Sequence, residues 1–283
     1  LPLAERVPFA PAALLAAKVL WTPKGRRGPP KNLDESIAPR WEQLRRDGVT
    51  VVDGFLIPEI CARLRDEIDD CFAAYPSAIH EDAQKADQRL YLNAPPGELG
   101  PIYSDKRLMD CATAYLGAEA YNLAILAARL KAVPGNLGSG GGWHRDAFAG
   151  QVKAVLYLND VGEDNGPFQY LRASHRLRAM IADRRCARLG IAQTRLSEEQ
   201  IQTLLDGDPT RLITATGSAG TLILTDTTGL HRGMPIRAGT RYALTNYYFA
   251  RNVRRAEMAE RFKLIVGVHV AYERAASTSM DSV

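Results

Sequence analysis

Cysteine is scarce in this 283-residue sequence, and its scarcity excludes two kinds of site. The four cysteines, at positions 61, 71, 111 and 186, form no CxxC pair. Neither a secreted disulfide framework nor a cysteine-based zinc site is therefore indicated, and we expect reduced, structural thiols. Histidine is scarce as well. Only five are present, at positions 80, 144, 175, 231 and 269, so few residues of this type can compete for a metal site.

A long hydrophobic run is also missing. The longest early apolar stretch, Phe9 to Trp21, is interrupted by Pro11 and Lys18 and is too short to cross a bilayer. No positively charged segment precedes this stretch and no clear small-residue cleavage site follows it, so a cleaved signal peptide is not expected. The sequence indicates a soluble, cytoplasmic protein without a transmembrane segment, and it does not indicate an oligomeric state.

The net charge is modest, at +4, but arginine is concentrated in three short segments, residues 26–27, 184–188 and 251–255. Such segments can attract anionic partners, from phosphorylated or nucleotide-linked small molecules to nucleic acid. They are also typical of solvated helix faces and turns. Because there is no long basic tail and no basic strip interleaved with aromatic residues, we expect a small-molecule substrate and no nucleic-acid partner.

Hydrophobic periodicity divides the chain into a helical part and a β part. An amphipathic helix is predicted from Pro58 to about Tyr75, and another from Lys106 to Leu116, where Gly117 can end it. Short strands separated by turn residues follow, which favours an antiparallel sandwich or barrel. The fold class is thus mainly β with flanking helices (α+β). Strands are predicted at residues 50–55, 121–133, 152–158, 168–171, 211–215, 221–224 and 241–249.

One domain accounts for most of the chain. Residues 1–35, rich in Pro, Lys and Arg, are predicted to form a loosely held arm, residues 36–270 a single domain, and residues 271–283 a tail. A helical insertion is expected near residues 176–206, with Ser174 well suited to cap its first helix. The insertion suits either a substrate-selecting lid or a structural cover. Two further segments, 88–96 and 135–142, are predicted to be loops.

The tetrapeptide WHRD, at residues 143–146, lies between a glycine-dense loop and a predicted strand. Residues two apart in an extended segment project to the same side, so His144 and Asp146 can reach one ion. Arg145 projects to the other side and receives no assignment. An HxD pair alone is a weak signal because it often arises by chance, so a third ligand is needed.

His231 is the best candidate for the third ligand because it follows one predicted strand and precedes another. A jelly roll can return the chain at that point beside His144 and Asp146. Two histidines and one carboxylate on one face leave three positions of an octahedral ion open. That arrangement is typical of the facial triad of non-haem iron(II) oxygenases.

The other histidines fit a metal site less well. His80 lies in a polar segment outside the predicted strands, and His269 lies in a late apolar run, so surface and packing roles are favoured. His175 stays open as a ligand, although a structural or substrate-facing role is favoured because it ends a strand and begins the insertion.

Arg241 lies at the start of a predicted strand, where it shares one face with Ala243 and Thr245. An arginine that points into a barrel is costly unless it meets an anion. The distal carboxylate of a dicarboxylate co-substrate bound to the metal would supply that anion in a bidentate pair. Arg232 and Arg237 are rivals, but both precede the strand in a turn-like stretch.

Other residues are candidates for contact with the co-substrate. Thr245 lies on the arginine's face of the strand. Trp143 adjoins the first metal ligand, although a core or surface aromatic is an equal alternative. Lys131, together with Arg89 and Arg172, is a candidate for contact with an anionic substrate or co-substrate.

Four motifs, taken in order, resemble the phytanoyl-CoA dioxygenase (hydroxylase)-like family of the Fe(II)/2-oxoglutarate-dependent oxygenase superfamily. Any one motif is modest, whereas their order and spacing are specific, and the resemblance covers about residues 46–251. The motifs are DGVTVVDGFLIPEICARLRDEI at 47–68, WHRD at 143–146, DNGPFQYLRASHR at 164–176 and HRGMPIRAGTRYALTNYY at 231–248.

The resemblance implies a double-stranded β-helix (jelly roll, cupin-like) core that binds Fe(II) and the co-substrate 2-oxoglutarate. It also implies hydroxylation of a small organic molecule with molecular oxygen, releasing succinate and carbon dioxide. The substrate would be a natural product, a sugar, a lipid-derived molecule or an acid. Related halogenases have a small residue in place of the motif carboxylate, so Asp146 favours hydroxylation or another oxidation.

Two other functions stay open at this point. Nucleic-acid demethylases of the same fold resemble an HxD…H pattern with two arginines six residues apart, whereas this chain has Tyr247 at the second position. A cupin-like protein that isomerises its substrate or only binds it is the alternative from another class. Either kind would need a richer histidine cluster, commonly three or four ligands.

Overall fold

Two antiparallel sheets organise residues 29–250, which the computed structural model describes except at positions 94, 96 and 149. Within those residues the larger sheet has seven strands and the smaller one has three. Most of the predicted arm, the predicted tail and His269 lie outside the described residues. The strands are β1 Val49–Val52, β2 His80–Glu81, β3 Asp87–Leu92, β4 Ala120–Lys131, β5 Val152–Tyr157, β6 Phe168–Leu171, β7 Leu212–Ala215, β8 Leu222–Asp226, β9 His231–Gly233 and β10 Thr240–Ala250. The larger sheet has the strand order β1-β8-β5-β10-β4-β3-β2, and the smaller one has the order β7-β6-β9.

Helices precede the sheets and also interrupt them. The second helix begins with Pro58 in its first turn, and the fourth ends where Gly117 adopts a φ of 66°, so both predicted helices are confirmed. None of the helices within residues 29–250 is long and apolar enough to cross a membrane. The helices are α1 Trp41–Asp47, α2 Pro58–Ala74, α3 Leu99–Tyr103, α4 Lys106–Leu116, α5 Leu177–Cys186 and α6 Glu198–Asp206, with 3-10 turns at Ala38–Arg40, Pro76–Ala78 and Pro209–Arg211.

The large sheet has two unlike faces because strand side chains alternate. Leu156, Leu224 and Leu244 are buried on one face, in a cluster with residues of α1, α2 and α4. Tyr157 and Ala243 lie on the other face, in a second cluster with residues of the small sheet. The space between the sheets is therefore reached by every second residue of β3, β4, β5 and β10.

Three strands, β2, β3 and β9, are absent from the sequence prediction. The predicted loop at 88–96 is largely β3, which pairs with β4 and buries Leu90 and Leu92. Every second residue of β3 is polar and faces the space between the sheets. These polar residues are why the sequence indicated a loop. His80 was assigned to a polar segment outside the strands, but it forms the edge strand β2. Such a short strand has too few residues to show a period.

The insertion also differs in one detail. The helices α5 and α6 lie between β6 and β7, but Ser174 does not cap α5. The residue at the N-cap is Arg176, which makes no side-chain capping bond. The Ser174 hydroxyl instead accepts a hydrogen bond of 2.7 Å from the backbone N–H of Leu230. It therefore joins the start of the insertion to the segment that leads into β9.

We predict that Leu244→Ala destabilises the fold by about 2–5 kcal/mol, because the change leaves a cavity at a fully buried site in the central strand. Leu212→Ala is the matched control, since Leu212 is 36% exposed at the start of β7. It should cost less than about 1 kcal/mol. Urea unfolding measures both. Equal losses would contradict the assigned core.

Candidate metal centre

His144, Asp146 and His231 come together at one end of the space between the sheets. One ligand atom from each lies within 4.8 Å of the others. Asp146 Oδ1 is 3.6 Å from His144 Nε2 and 4.0 Å from His231 Nε2. These distances are too long for hydrogen bonds, so three ligand atoms face one another without satisfying one another. The arrangement is what a metal ion requires.

Backbone pairing brings the two histidines together. The N–H of His144 donates to the carbonyl of His231 at 2.9 Å, and the reverse bond is 2.8 Å. The N–H of Asp146 donates to the carbonyl of Thr227 at 3.0 Å, which extends the pairing to the carboxylate. Phe168, on the small sheet, stacks on His231 with ring centroids 5.6 Å apart. The three candidate ligands are thus held by main-chain bonds rather than by flexible side chains.

The hydrogen bonds of the rings indicate which nitrogen is free. Nδ1 of His144 lies 2.9 Å from the carbonyl oxygen of Gly142, and Nδ1 of His231 lies 3.0 Å from that of Gly229. A carbonyl only accepts, so we assign the proton to each Nδ1, leaving the lone pair on each Nε2. Burial lowers the pKa of both rings, and burial together with the nearby His144 lowers the pKa of His231 to about 3. Both rings are therefore neutral near pH 7, as metal binding requires.

Lys153 fixes the orientation of the carboxylate. Its Nζ lies 2.7 Å from Asp146 Oδ2 and 4.4 Å from the centroid of the Tyr247 ring. Burial acts to raise the pKa of Asp146, but Lys153 and the two histidines outweigh it and hold that pKa well below its usual range. With Oδ2 occupied by the ammonium group, Oδ1 is the oxygen that faces both Nε2 atoms.

The glycine-dense loop packs directly against the candidate ligands. Gly140 has a φ of +91°, and a Cβ there would lie 2.4 Å from His144 Cε1. On the other side of the loop, a Cβ on Gly233 would lie 2.8 Å from the Cβ of Ser139. Only glycine permits both the backbone conformation and the close approach at Gly140.

The insertion also reaches the centre. Arg195 forms an antiparallel bridge with His144, and its Nη1 donates to the carbonyls of Gly140 and Gly141 at 2.9 and 3.2 Å. The segment 143–146 is therefore paired on both sides, with the insertion on one side and the residues around His231 on the other.

A cavity of about 640 Å³ contains the three candidate ligands and Arg241. Arg241 is only 6% exposed; its Nη1 donates to the carbonyl of Gly166, and its Nε has no partner. No described carboxylate lies within 4.0 Å of it, and burial lowers its pKa. The side chain is thus a buried cation without a paired anion. The cavity is also lined by His80, Arg89, Tyr91, Leu126, Ala128, Ser139, Lys153, Val155, Tyr157, Phe168, Arg195, Ala243, Thr245 and Tyr247.

Two of the co-substrate candidates lie elsewhere. Trp143 is buried in a separate cluster with Leu171 and Leu230, and Lys131 is exposed at the end of β4. Neither lines the cavity, because each is one residue out of phase with a neighbour that faces inward. Thr245 does line it.

The rival arginines are engaged with acidic partners. Arg232 pairs with Glu198, and Arg237 lies 3.4 Å from Asp164 in an exposed pair. Arg172 binds Thr210 away from the cavity. Of Arg232, Arg237 and Arg241, therefore, Arg241 is the one that lines the cavity with the candidate ligands.

The remaining histidines do not join the cluster. His175 is buried beside Gly48 and does not line the cavity. His80 stands at the edge strand, with its ring edge-on to Tyr91 at 5.8 Å. It lines the cavity without approaching the candidate ligands closely enough to belong to their group.

Lys153 and Tyr91 had no predicted role, and Tyr247 was noted only as a departure from the demethylase pattern. Lys153 and Tyr247 are directly opposite each other on β5 and β10. The ring centroids of Tyr91 and Tyr247 are 6.2 Å apart. A lysine inside the predicted strand 152–158, in phase with Val155 and Tyr157, was the available signal.

Residues 44–241 match the family model described as phytanoyl-CoA dioxygenase (PhyH). The chain belongs to the phytanoyl-CoA dioxygenase family. The match confirms the resemblance predicted from the four motifs, and it spans all three candidate ligands as well as Arg241. A search of the curated proteins finds no match to this member of the family.

Solved structures resemble this family member at low sequence identity. EctD from S. alaskensis, with 2-oxoglutarate and 5-hydroxyectoine, has 19% identity and a TM-score of 0.59, covering 81% of this chain and 80% of that one. HygX from Streptomyces hygroscopicus, with nickel, 2-oxoglutarate and hygromycin B, has 14% identity and a TM-score of 0.54, covering 76% and 87%. The carbocyclase SnoK from nogalamycin biosynthesis has 14% identity and a TM-score of 0.57, covering 82% and 93%. These likenesses confirm the predicted jelly-roll fold.

We predict that Gly140→Ala weakens binding of a divalent transition-metal ion by about 10–100-fold, because the new Cβ displaces the His144 ring. Gly135→Ala is the matched control. Gly135 has a similar φ of +77°, but a Cβ there meets nothing within 4 Å. Titration with Co(II), followed by visible absorbance, measures the affinity. If Gly140→Ala and Gly135→Ala bind Co(II) with equal affinity, backbone conformation rather than contact with His144 explains the glycine at position 140.

Proposed function

We propose that this protein is an Fe(II)- and 2-oxoglutarate-dependent oxygenase that hydroxylates a small organic molecule. One observation supports this most strongly: the convergence of His144, Asp146 and His231 in the cavity that also holds the unpaired, buried cation Arg241. A metal ion and a dianion together would satisfy both features. Either feature alone would also fit a simple binding protein.

The donor set fits iron(II). Two neutral imidazole nitrogens and one carboxylate oxygen form the 2-His-1-carboxylate set, which leaves three octahedral positions for other ligands. The structural zinc sites common in proteins use four ligands, often cysteines, and no cysteine joins this group among the described residues. HygX, which has the same fold, was crystallised with nickel and 2-oxoglutarate, consistent with a divalent ion in such a centre.

The surroundings of Arg241 fit a carboxylate. A buried guanidinium without an anion is destabilising by several kcal/mol, on the order of the cost of an unpaired buried charge. The planar group offers parallel N–H donors that match the two oxygens of a carboxylate. We assign the distal carboxylate of 2-oxoglutarate to this position, and Thr245 lies on the same face of β10 as Arg241.

When bound, Fe(II) and 2-oxoglutarate supply a two-electron oxidation by molecular oxygen, in which the co-substrate leaves as succinate and carbon dioxide. The residues of this chain prepare that chemistry. Gly142 and Gly229 hold the Nδ1 protons, so that both Nε2 lone pairs face inward. Lys153 restrains one oxygen of Asp146, so the other oxygen is the one that would bind the ion.

Apolar and aromatic side chains shape the place where the substrate would lie. Leu126, Val155 and Phe168 line the cavity, and Tyr91 and Tyr247 lie near Lys153. Such walls exclude water and hold a substrate carbon close to the centre, which is the contribution a protein makes to oxidations of this kind. Hydroxylation is the outcome we favour because Asp146 retains the motif carboxylate.

We predict that anaerobic protein with Fe(II) and 2-oxoglutarate develops a weak visible metal-to-ligand charge-transfer band that neither component gives alone. His231→Ala should abolish the band. Arg241→Ala should keep Fe(II) binding but raise the 2-oxoglutarate concentration needed by about 30-fold or more, because a buried charge pair loses one partner. Arg237→Ala should change nothing, since its ion pair is exposed. Visible absorbance and tryptophan fluorescence measure each step.

Admission of oxygen to the wild-type complex should then yield succinate. The absence of both the band and succinate in folded wild-type protein would reject the oxygenase and favour a non-catalytic or isomerising cupin-like binding protein. A band that survives His231→Ala would reject the ligand assignment alone.

A further inference from the structure

Two arginines are buried within the described part of the chain, Arg241 at 6% exposure and Arg145 at 4%. The proposed co-substrate accounts for the first. Arg145 donates from Nη1 to the carbonyl of Thr228 at 2.7 Å, and its Cζ lies 5.4 Å from the centroid of the Phe148 ring. No described carboxylate lies within 4.0 Å of its guanidinium. The physical argument made for Arg241 therefore applies to Arg145 as well.

Arg145 lies at the wall of a second cavity, of about 460 Å³, between α5 and the segment that follows it. Three further arginines line this cavity, Arg184, Arg185 and Arg188, and no acidic residue does. Arg184 uses its Nε to bind the carbonyl of Leu189 at 3.3 Å. The second cavity is lined by Arg145, Phe148, Met180, Ile181, Arg184, Arg185, Arg188, Leu189, Gly190, Ile191 and Gln193.

The same cavity exposes apolar surface. Ile181 is 42% exposed and Ile191 is 51% exposed, although both are large aliphatic side chains, and both line the cavity. Met180 and Leu189, which also line the cavity, are buried. Exposed aliphatic groups beside uncompensated guanidinium groups fit a ligand with both an apolar and an anionic part.

We propose that the second cavity binds a small organic anion, a molecule with a phosphate or carboxylate group at the arginines and an apolar portion against Ile181 and Ile191. Its volume lies within the usual range of small-molecule pockets, roughly 300–1,000 Å³. The site does not depend on a metal or on 2-oxoglutarate. Because Arg145 also lines the first cavity, the two sites share a wall.

The local electrostatics favour an anion despite one opposing contribution. The C-terminal end of α5, which carries Arg184 and Arg185, contributes about half a negative elementary charge. Four guanidinium groups outweigh it. The acidic residue of that helix, Asp183, is buried and bound at both oxygens by Arg211, at 2.8 and 3.0 Å. Asp183 and Asp226 still act on Arg145 through their charge, but burial of Arg145 has the larger effect and lowers its pKa.

A purely solvated arginine cluster explains less of the structure. Solvent can satisfy Arg184, Arg185 and Arg188, which are exposed near the end of a helix where cations are favourable. Solvent does not explain why Arg145 is buried without a carboxylate or why two isoleucines remain exposed at the same place.

Isothermal titration of the full chain with hexyl phosphate tests the proposal. Wild-type protein should bind one molecule, and hexanol and inorganic phosphate should each bind at least about tenfold more weakly, because each lacks one of the two parts. Affinity should fall as salt is raised, since the contacts are charged.

Two variants locate the site. Arg185→Gln/Arg188→Gln should weaken hexyl phosphate binding by about tenfold or more, as should Arg145→Gln. The matched control is Arg176→Gln/Arg178→Gln, which removes the same charge from exposed positions that do not line the cavity. It should leave the affinity within about twofold, because distant exposed charges are largely screened. The surface double variant keeps the test valid even if Arg145→Gln fails to fold.

Three results would overturn the proposal. These are no binding by folded wild-type protein at millimolar hexyl phosphate, equal weakening by the control variant, and loss of binding in Arg241→Gln while Arg145→Gln binds normally. The last result would place the anion in the first cavity. The titration uses protein without metal, so failure of this site and failure of the oxygenase assignment remain distinguishable.

Discussion

The reciprocal backbone hydrogen bonds between His144 and His231 are the interaction on which the candidate centre depends. They join the segment after the glycine-dense loop to β9, at 2.9 and 2.8 Å. Main-chain bonds of this kind set the spacing of both imidazoles before any ion is present. The carbonyls of Gly142 and Gly229 then orient each ring, so that preorganisation comes from the backbone and not from side-chain packing alone.

Charge around the two cavities is unevenly compensated inside the protein. Lys153 and Asp146 neutralise each other at 2.7 Å, whereas Arg241 and Arg145 are buried cations with carbonyl partners only. A folded chain tolerates such groups when ligands supply the missing anions. The proposed co-substrate would form an ion pair with Arg241, and the proposed organic anion would form one with Arg145. Binding and local stability are therefore coupled at both places.

Both cavities are bordered by the insertion between β6 and β7. Thr194 and Arg195 pair with the strand that carries His144, while α5 and the segment after it line the second cavity. The insertion is thus not a separate cover laid over a finished jelly roll. Its backbone pairs with the segment 143–146 beside the candidate metal centre, and that segment would otherwise be an unpaired edge on that side.

The sequence by itself determined the elements with strong local signals. Proline at the start of one helix, Gly117 at the end of another and the alternation along β10 are local physical constraints, and they predicted those elements closely. The HxD spacing and the position of Arg241 within its predicted strand indicated the candidate centre for the same reason. Strand alternation also predicted that Arg145 points away from the metal pair; its guanidinium binds the carbonyl of Thr228, and the residue borders both cavities.

Tertiary structure alone decided which distant residues meet. β2 and β9 are too short to show a period of alternating hydrophobicity. The polar residues of β3 are typical of a loop, and pairing with β4 is what makes the segment a strand. The partners of Lys153 and the position of Trp143 depend on strand register, which long-range pairing sets. Burial of Arg145 without a carboxylate is likewise a property of the assembled structure, because local sequence does not reveal which charges are left without a partner.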